Sequence, residues 1–169
     1  MKTINLLMIL LLTAVIAYPQ HRVMQVHSAG EVAYEINTAQ VDSVVFRASL
    51  ANTMWKLAGI MDVNTGVLKE LEPKDCEECF TLVFDTNNTF SGRITTNIIT
   101  GSYYIDYETH ALHFTNIGGT EAIDVGDGEL YRQILWKIQF FTAKETYPPM
   151  LHLYYDENKK YLLFKSQEL

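Results

Sequence analysis

The sequence has few cysteines, no cluster of basic residues and only one long apolar run. Among 169 residues there are 2 cysteines, and 13 Lys and Arg stand against 20 Asp and Glu, which gives a net charge of −7. Nucleic-acid binding draws most of its affinity from the neutralisation of phosphates, so this acidic balance argues against a nucleic-acid partner. The single apolar run leaves no second segment for an integral membrane span.

That apolar run lies at the start of the chain and is typical of a secretory leader. It extends from Ile4 to Ile16 behind Lys2, which is shorter than the roughly 20 residues that span a bilayer. Ala17 is a small residue suited to cleavage. We therefore predict a signal peptide over residues 1–17 and an exported product, in the periplasm, at the cell surface or outside the cell. An uncleaved membrane anchor is the alternative.

The cysteine positions bear on lipid attachment. A bacterial lipoprotein carries its lipid on a cysteine directly after the signal peptide, whereas the cysteines here are Cys76 and Cys79. The sequence therefore predicts that the product is not a lipoprotein.

Residues 18–50 are predicted to form an N-terminal extension. The stretch "RVMQVHSAGEVAYEI" alternates around residues 28–30 as a small hairpin does, and "AQVDSVVF" has the pattern of a strand. Two strands alone are marginal in water, so the extension must pack on the main domain or stay loosely attached. The pattern from Val41 to Phe46 resembles an N-terminal segment that recurs in exported proteins of gut and oral Gram-negative bacteria, which indicates lineage rather than activity.

Residues 51–169 are predicted to form the main domain, built from short strands and one helix. "MWKLAGIMD", "FTLVF", "TFSGRIT", "GSYYIDY" and "ALHFTNI" alternate apolar and polar residues, and "MLHLYYDENKKYLLFK" is typical of a closing hairpin. One segment carries a helical stripe, with Asp127 as its predicted N-cap. The stripe consists of Leu130, Ile134, Ile138 and Phe141. The predicted fold is mainly β (α+β): a small antiparallel β-barrel or strongly curved sheet with one amphipathic helix packed on it.

The order of these motifs resembles the META domain family. The resemblance covers about residues 51–165 and rests on Trp55, "FTLVFDTNNTFSG", Asn97 followed by Gly101-Ser102-Tyr103, "LHFTNIGGTEA", the helix, and "LHLYYDENKKYLLF". Many META domains carry a cysteine beside the Asn, where this chain has Thr96, so that bridge is absent. The resemblance implies an exported domain with no established catalytic chemistry.

The polar stretch between Gly92 and Gly101 allows two interpretations. The resemblance implies that it forms a corner of the fold, with Asn97 bonded to backbone. The alternative is a surface recognition edge made by Arg93, Thr95 and Asn97.

Cys76-Glu77-Glu78-Cys79 is the sharpest local motif. In an exported protein a pair of cysteines is by default a disulfide. On a straight strand, residues three apart lie roughly 10 Å apart, beyond the ~7 Å reach of a disulfide, so a bridge requires a turn here. A redox role is disfavoured by the two glutamates, and zinc would need about four ligands.

No other grouping predicts a catalytic, metal or cofactor site. On a strand, His110 and His113 point to opposite faces, and we expect all five histidines at the surface or rim. Asp124, Asp127 and Glu129 lack the spacing of a calcium loop and fit helix capping better. No Ser/His/Asp set and no carboxylate pair stands out.

The expected function is therefore that of an exported, non-enzymatic module that binds another protein. One version is a secreted protease inhibitor, with residues 18–50 or the loop from Asn64 to Cys79 entering a cleft. The alternative is a carrier of a small apolar ligand in a lipocalin-like barrel, although the many large side chains favour a filled interior. An enzyme ranks last.

Overall fold

The structure is a computed structural model that describes residues 23–28, 31–37, 41 and 49–167. The predicted leader (residues 1–17) and most of the predicted strand over residues 39–46 lie outside the described residues. The chain divides into two compact units, residues 1–46 and 47–169. No helix in the described part of the chain is long and apolar enough to cross a membrane.

The first unit contains an antiparallel hairpin. Strand β1 is Val23–Ser28 and strand β2 is Glu31–Asn37. The alternation of β2 places its apolar residues on one face, and Val32, Tyr34 and Ile36 are all exposed.

The second unit is a nine-stranded antiparallel sheet that curls into a ring. Its strands run in the order β11-β10-β9-β8-β7-β6-β5-β3-β4, and β11 also pairs with β3, which closes the ring. The strands are β3 Thr53–Asp62, β4 Leu68–Lys69, β5 Thr81–Phe84, β6 Thr89–Arg93, β7 Ile98–Asp106, β8 Ala111–Gly119, β9 Phe140–Lys144, β10 Met150–Tyr155 and β11 Lys160–Gln167. This confirms the predicted fold class.

The pairing between β8 and β9 is the shortest in the ring, and the helix lies in the connection between these two strands. The register joins these strands through Ala111 and Phe140. Helix α1 (Gly128–Leu135) lies between them in sequence and buries Tyr131, Ile134 and Leu135. Side chains of the helix thus join the core of the sheet.

The interior of the ring is packed with side chains. Alternate residues of every long strand point inward, as period-two apolar patterning requires. The fully buried members include Leu82, Phe84, Ile99, Leu112, Leu151, Leu153, Leu162 and Phe164. Aromatic rings meet edge to face there, with Phe84 5.0 Å from Tyr103.

The predicted helical stripe is wrong at both ends. The helix ends at Leu135, Phe141 belongs to β9, and Leu130 is 36 % exposed. The helix buries Tyr131 and Leu135 instead, because the short helix docks by a face rotated from the predicted one. Asp127 occupies the N-cap position but makes no side-chain capping hydrogen bond, since its carboxylate is used elsewhere.

Candidate functional site

The chain between the end of β3 and the start of β5 forms a long, exposed and well-anchored loop. This segment, residues 62–80, includes the short strand β4 and is called the braced loop below. It projects its first part into solvent, since residues 63–70 are all exposed. Three separate sets of contacts hold it.

The first brace is a turn organised by Asp62. Its carboxylate accepts hydrogen bonds from the backbone N–H groups of Asn64 (3.0 Å) and Thr65 (2.9 Å) and from the Thr65 hydroxyl. The hydrogen bond from the Thr65 backbone lowers the pKa of Asp62, and burial opposes it. Gly66 has a φ of +68°, the left-handed conformation that glycine adopts readily. The turn therefore fixes the direction in which β4 returns along β3.

The second brace joins the loop to the segment before helix α1. The Asp127 carboxylate accepts from the Glu72 backbone N–H (3.0 Å) and from the Lys69 ammonium (3.3 Å), and the Asp127 N–H donates to the Glu72 carbonyl (2.7 Å). Gly126 passes so close that a Cβ on it would lie 2.2 Å from the Glu72 oxygen. The two segments are thus bonded in both directions at Glu72.

The third brace is the cysteine pair at the end of the loop. Cys76 and Cys79 form a disulfide with a Cα–Cα distance of 5.3 Å, which is the turn that their spacing requires. The Lys56 ammonium donates to the carbonyls of Cys76 (2.7 Å) and Cys79 from below. Burial lowers the pKa of Lys56, and the charge of Glu77 opposes this. The turn is therefore closed by the disulfide and held by the Lys56 ammonium, which binds both cysteine carbonyls.

The exposed part of the loop carries apolar side chains. Val63, Val67 and Leu68 are 50 %, 62 % and 38 % exposed. The Asp62 N–H donates to the Val67 carbonyl, so these two residues form a hydrogen-bonded pair next to the β3–β4 pairing. Hydrogen-bonded and non-hydrogen-bonded pairs alternate along antiparallel strands. The next pair, Met61 and Leu68, is therefore not hydrogen-bonded, and the backbone N–H and C=O of Leu68 point away from β3. The loop thus exposes an extended backbone edge and apolar side chains.

The polar stretch after β6 forms a buried corner. Thr95 is 6 % exposed and Asn97 is fully buried. The Asn97 amide donates to the Ala122 carbonyl (2.6 Å), and its oxygen accepts from the Ala122 N–H and the Thr120 hydroxyl (both 2.8 Å). The structure therefore corrects the recognition-edge hypothesis for these two residues, because burial removes them from the surface.

Arg93 is half-exposed and is the remaining member of that predicted edge. Its guanidinium lies 2.9 Å from the Glu78 carboxylate and also donates to the Thr95 carbonyl at 3.4 Å. Arg93 thereby connects the buried corner to the braced loop. It acts as a link between two structural elements.

Asp124 is the electrostatic centre of the buried corner. Its carboxylate accepts hydrogen bonds from the Thr95 hydroxyl (2.9 Å) and the Asn97 backbone N–H (3.3 Å), and it pairs with Arg132 at 3.0 Å. Burial would raise the pKa of Asp124, but the hydrogen bonds from Asn97, Thr95 and Arg132 outweigh it and lower the pKa to about 2. The Asp124 carboxylate is therefore ionised at neutral pH.

The histidines do not come together in the part of the chain that the structure describes. No group of three or more His, Cys, Asp or Glu residues there is arranged to hold a metal ion. His113 bonds the Ile138 carbonyl through Nδ1 (3.1 Å), and His110 lies near Phe141. His152 is 6 % exposed, so the expectation of a surface or rim position is wrong for it. It is buried because its ring stacks on Tyr161.

Sequence reasoning identified the cysteine pair but missed distant residues that hold the braced loop. Lys56, Gly126 and Asp127 lie 20, 50 and 51 residues from Cys76 in the chain. The only local signal was the run Asp-Val-Gly-Asp-Gly at residues 124–128, which lacks the spacing of a calcium loop. Its glycine serves the close approach to Glu72.

Comparisons with known proteins support the fold. The structure resembles an NMR structure of a protein from Burkholderia xenovorans, with a TM-score of 0.58 and 22 % identity, over 76 % of this chain and 97 % of that one. It also resembles a DUF4847 family protein from Bacteroides vulgatus, with a TM-score of 0.55 and 17 % identity, over 71 % of this chain and 96 % of that one. At these identities the likeness shows a shared fold alone. No protein-family model matches the chain, so the META resemblance is not confirmed.

One curated relative bears on localisation. A protein of Tannerella forsythia named "Putative lipoprotein" is 28 % identical over 119 residues, which are 69 % of this chain and 74 % of the relative. The prediction that the product is not a lipoprotein conflicts with this finding, and we correct it. That prediction rested on cysteine positions relative to a leader that lies outside the described residues, which is too narrow a basis.

Proposed function

We propose that the chain is an exported, non-enzymatic module that acts through protein–protein contact, with the braced loop as its contact element. Export rests on the leader-like first residues and on the lipoprotein name of the Tannerella forsythia relative. The order of the sequence motifs further favours a divergent META-like domain. The observation that carries the binding role is a loop that is exposed at its tip and fixed at three places.

The physical argument is preorganisation. A free loop loses conformational entropy when a partner immobilises it, and a loop that is already held in its bound shape avoids most of that cost. The braces lie on either side of the exposed apolar residues Val67 and Leu68, so they restrain the exposed segment without covering it. Such a segment suits insertion into a cleft.

The version that this geometry favours is inhibition of a protease. A protease binds its substrate as an extended chain, largely through backbone hydrogen bonds of the kind that add a strand to a sheet edge. β4 is short and extended and lies at the end of the sheet, so its outward edge offers those groups. A rigid segment of this kind occupies a cleft without yielding readily to cleavage.

The test is a titration of the proteases secreted by the organism that produces this chain. Hydrolysis of a fluorescent casein is measured with the protein at micromolar concentration. We expect inhibition by the wild type and a loss of about tenfold or more in apparent affinity for Val67→Ser/Leu68→Ser, as for truncation of hot-spot side chains. The control is Ile123→Ser, which changes an isoleucine that is 90 % exposed outside the loop.

The disulfide provides a second arm of the same test. Cys76→Ser/Cys79→Ser leaves the exposed side chains in place and loosens one brace. We expect weaker inhibition with an unchanged fold, because the closed ring is small and contributes only about 2 kcal/mol by the loop-entropy model. Wild-type protein that slows none of the secreted proteases would rule out the inhibitor version.

A further inference from the structure

The outer surface of strands β9, β10 and β11 carries a group of aromatic and aliphatic side chains with lysines at one end. Leu151, Leu153 and Phe141 point inward and are buried. The residues between them point outward, as the alternation of strands requires. The register aligns these outward residues in three rows across the strands: Lys144–Met150–Lys165, Thr142–His152–Leu163 and Phe140–Tyr154–Tyr161.

Three aromatic residues of this surface, His152, Tyr154 and Tyr161, pack against one another. The His152 ring stacks on Tyr161 with centroids 4.4 Å apart and an interplanar angle of 15°, and Tyr154 lies 5.0 Å from Tyr161. Phe140 completes the row opposite Tyr154 and is 39 % exposed. We call Phe140, His152, Tyr154 and Tyr161 the aromatic face. Contacts with one another order the His152, Tyr154 and Tyr161 rings. His152 is buried, so Phe140, Tyr154 and Tyr161 are the rings that a partner could contact.

Two lysines lie at one end of the aromatic face. Lys144 and Lys165 lie on either side of Met150 and are exposed. The row Lys144–Met150–Lys165 is called the lysine row below. Among the residues that the structure describes, neither lysine forms an ion pair, whereas six other Lys and Arg side chains do. Lys56 lies opposite Lys165 on β3, but its ammonium is used by the cysteine carbonyls.

These unpaired cations are notable because the whole chain carries a net charge of −7. Burial first and the charge of Lys144 second lower the pKa of His152, so His152 adds no positive charge near neutral pH. The positive charge of the surface therefore belongs to the lysine row. An apolar centre of Tyr, Phe and Met with charges at its edge is the composition of a protein–protein interface.

We propose that the aromatic face and the lysine row form a second binding surface, which takes an acidic protein segment that also carries aromatic or aliphatic side chains. The carboxylates of the partner meet Lys144 and Lys165, and its apolar side chains cover Phe140 and Tyr154. A protein is favoured over an anionic membrane because the rings lie packed along the sheet, whereas membrane insertion needs apolar side chains that protrude. The row of Tyr161 continues through Met61 to Leu68, so this surface adjoins the braced loop. The proposal does not rest on the inhibitor proposal, because its test variants lie outside the loop.

The probe for this surface is a fluorescently labelled copolymer of glutamate and tyrosine, titrated with the full chain and followed by anisotropy. The test variants are Lys144→Glu/Lys165→Glu for the charges and Phe140→Ser for the apolar part. The matched control is Lys74→Glu/Lys159→Glu, which makes the same change in net charge at lysines that are both 54 % exposed elsewhere. Polyglutamate and phosphatidylglycerol vesicles are tested beside the copolymer.

We expect the lysine-row variant to weaken copolymer binding about tenfold or more, Phe140→Ser to weaken it as well, and the control to stay within about twofold of wild type. If the double charge variant fails to fold, Phe140→Ser still measures the contribution of the aromatic face to copolymer binding. Absence of copolymer binding, equal weakening by the control variant, or equal affinity for polyglutamate would overturn the proposal. Vesicle binding that depends on the same residues, without copolymer binding, would overturn it in favour of a membrane surface.

Discussion

Replacement of Tyr131 by Phe is expected to stabilise the protein. Tyr131 is fully buried, and its hydroxyl finds no hydrogen-bond partner among the residues that the structure describes. Burial raises the pKa of Tyr131 well above its usual value, which reflects the same apolar surroundings. A polar group that is buried without a partner retains its full cost of desolvation, about 1 to 3 kcal/mol. Phenylalanine removes that cost.

The magnitude follows from what the substitution leaves in place. The ring contacts with Phe80 (5.3 Å between centroids) and Phe164 (6.5 Å) are kept. The missing oxygen leaves a small void that costs roughly 0.3 kcal/mol. We therefore expect a net gain of about 1 to 2 kcal/mol in the free energy of unfolding, which moves the urea midpoint up by about 0.5 to 1 M with an unchanged slope.

The control is the same substitution at a hydroxyl that has a partner. Tyr103 donates to the Asp85 carbonyl at 3.1 Å, so Tyr103→Phe is expected to cost about 1 kcal/mol. Urea unfolding followed by tryptophan fluorescence measures both variants. A Tyr131→Phe protein that is destabilised as much as Tyr103→Phe would refute the reasoning, because it would mean that the Tyr131 hydroxyl is hydrogen-bonded.

Two further predictions concern the corner and the second brace. The pKa of Asp124 is about 2 in the folded chain against an ordinary 3.8, so its ionisation stabilises the fold fully above about pH 4, and this stabilisation is lost as the pH falls towards 2. Urea unfolding from pH 5 to pH 2 should therefore show a loss of about 1 to 2 kcal/mol in the free energy of unfolding, and Asp124→Asn should abolish that loss. Gly126→Ala places a Cβ 2.2 Å from the Glu72 oxygen at a φ of +57°, so it should lower the free energy of unfolding by more than about 1 kcal/mol. Gly66→Ala, at a φ of +68° with nothing within 4 Å, should cost less, and equal losses would contradict the account of the second brace.

The sequence predicted the class of fold because its signals are local. Alternation at period two, turn residues and a short helical stripe all act between neighbours in the chain, and the sheet, the single helix and the closing hairpin were predicted from them. The direction of the helix face was predicted wrongly because a helix of eight residues has few turns with which to define a stripe. Closure of the ring through β11 and β3 joins residues about 100 positions apart and has no local signal.

The site was predictable to the extent that its chemistry is local. The spacing of Cys76 and Cys79 predicted a turn with a disulfide, and the structure has it. Asn97 was expected to bond backbone, but its partner Ala122 lies 25 residues away and could not be named in advance. The support that Lys56 and Asp127 give to the braced loop depends on how three distant segments meet.

Native mass spectrometry of the mature protein, purified gently from the envelope or medium of its own host, tests the central proposal most directly. We predict a second population whose mass exceeds that of the chain by the mass of a protein, and the loss of that population in Val67→Ser/Leu68→Ser but not in Ile123→Ser. A mass excess of only a few hundred daltons, unchanged by the loop variant, would contradict the proposal and indicate a carrier of a small ligand.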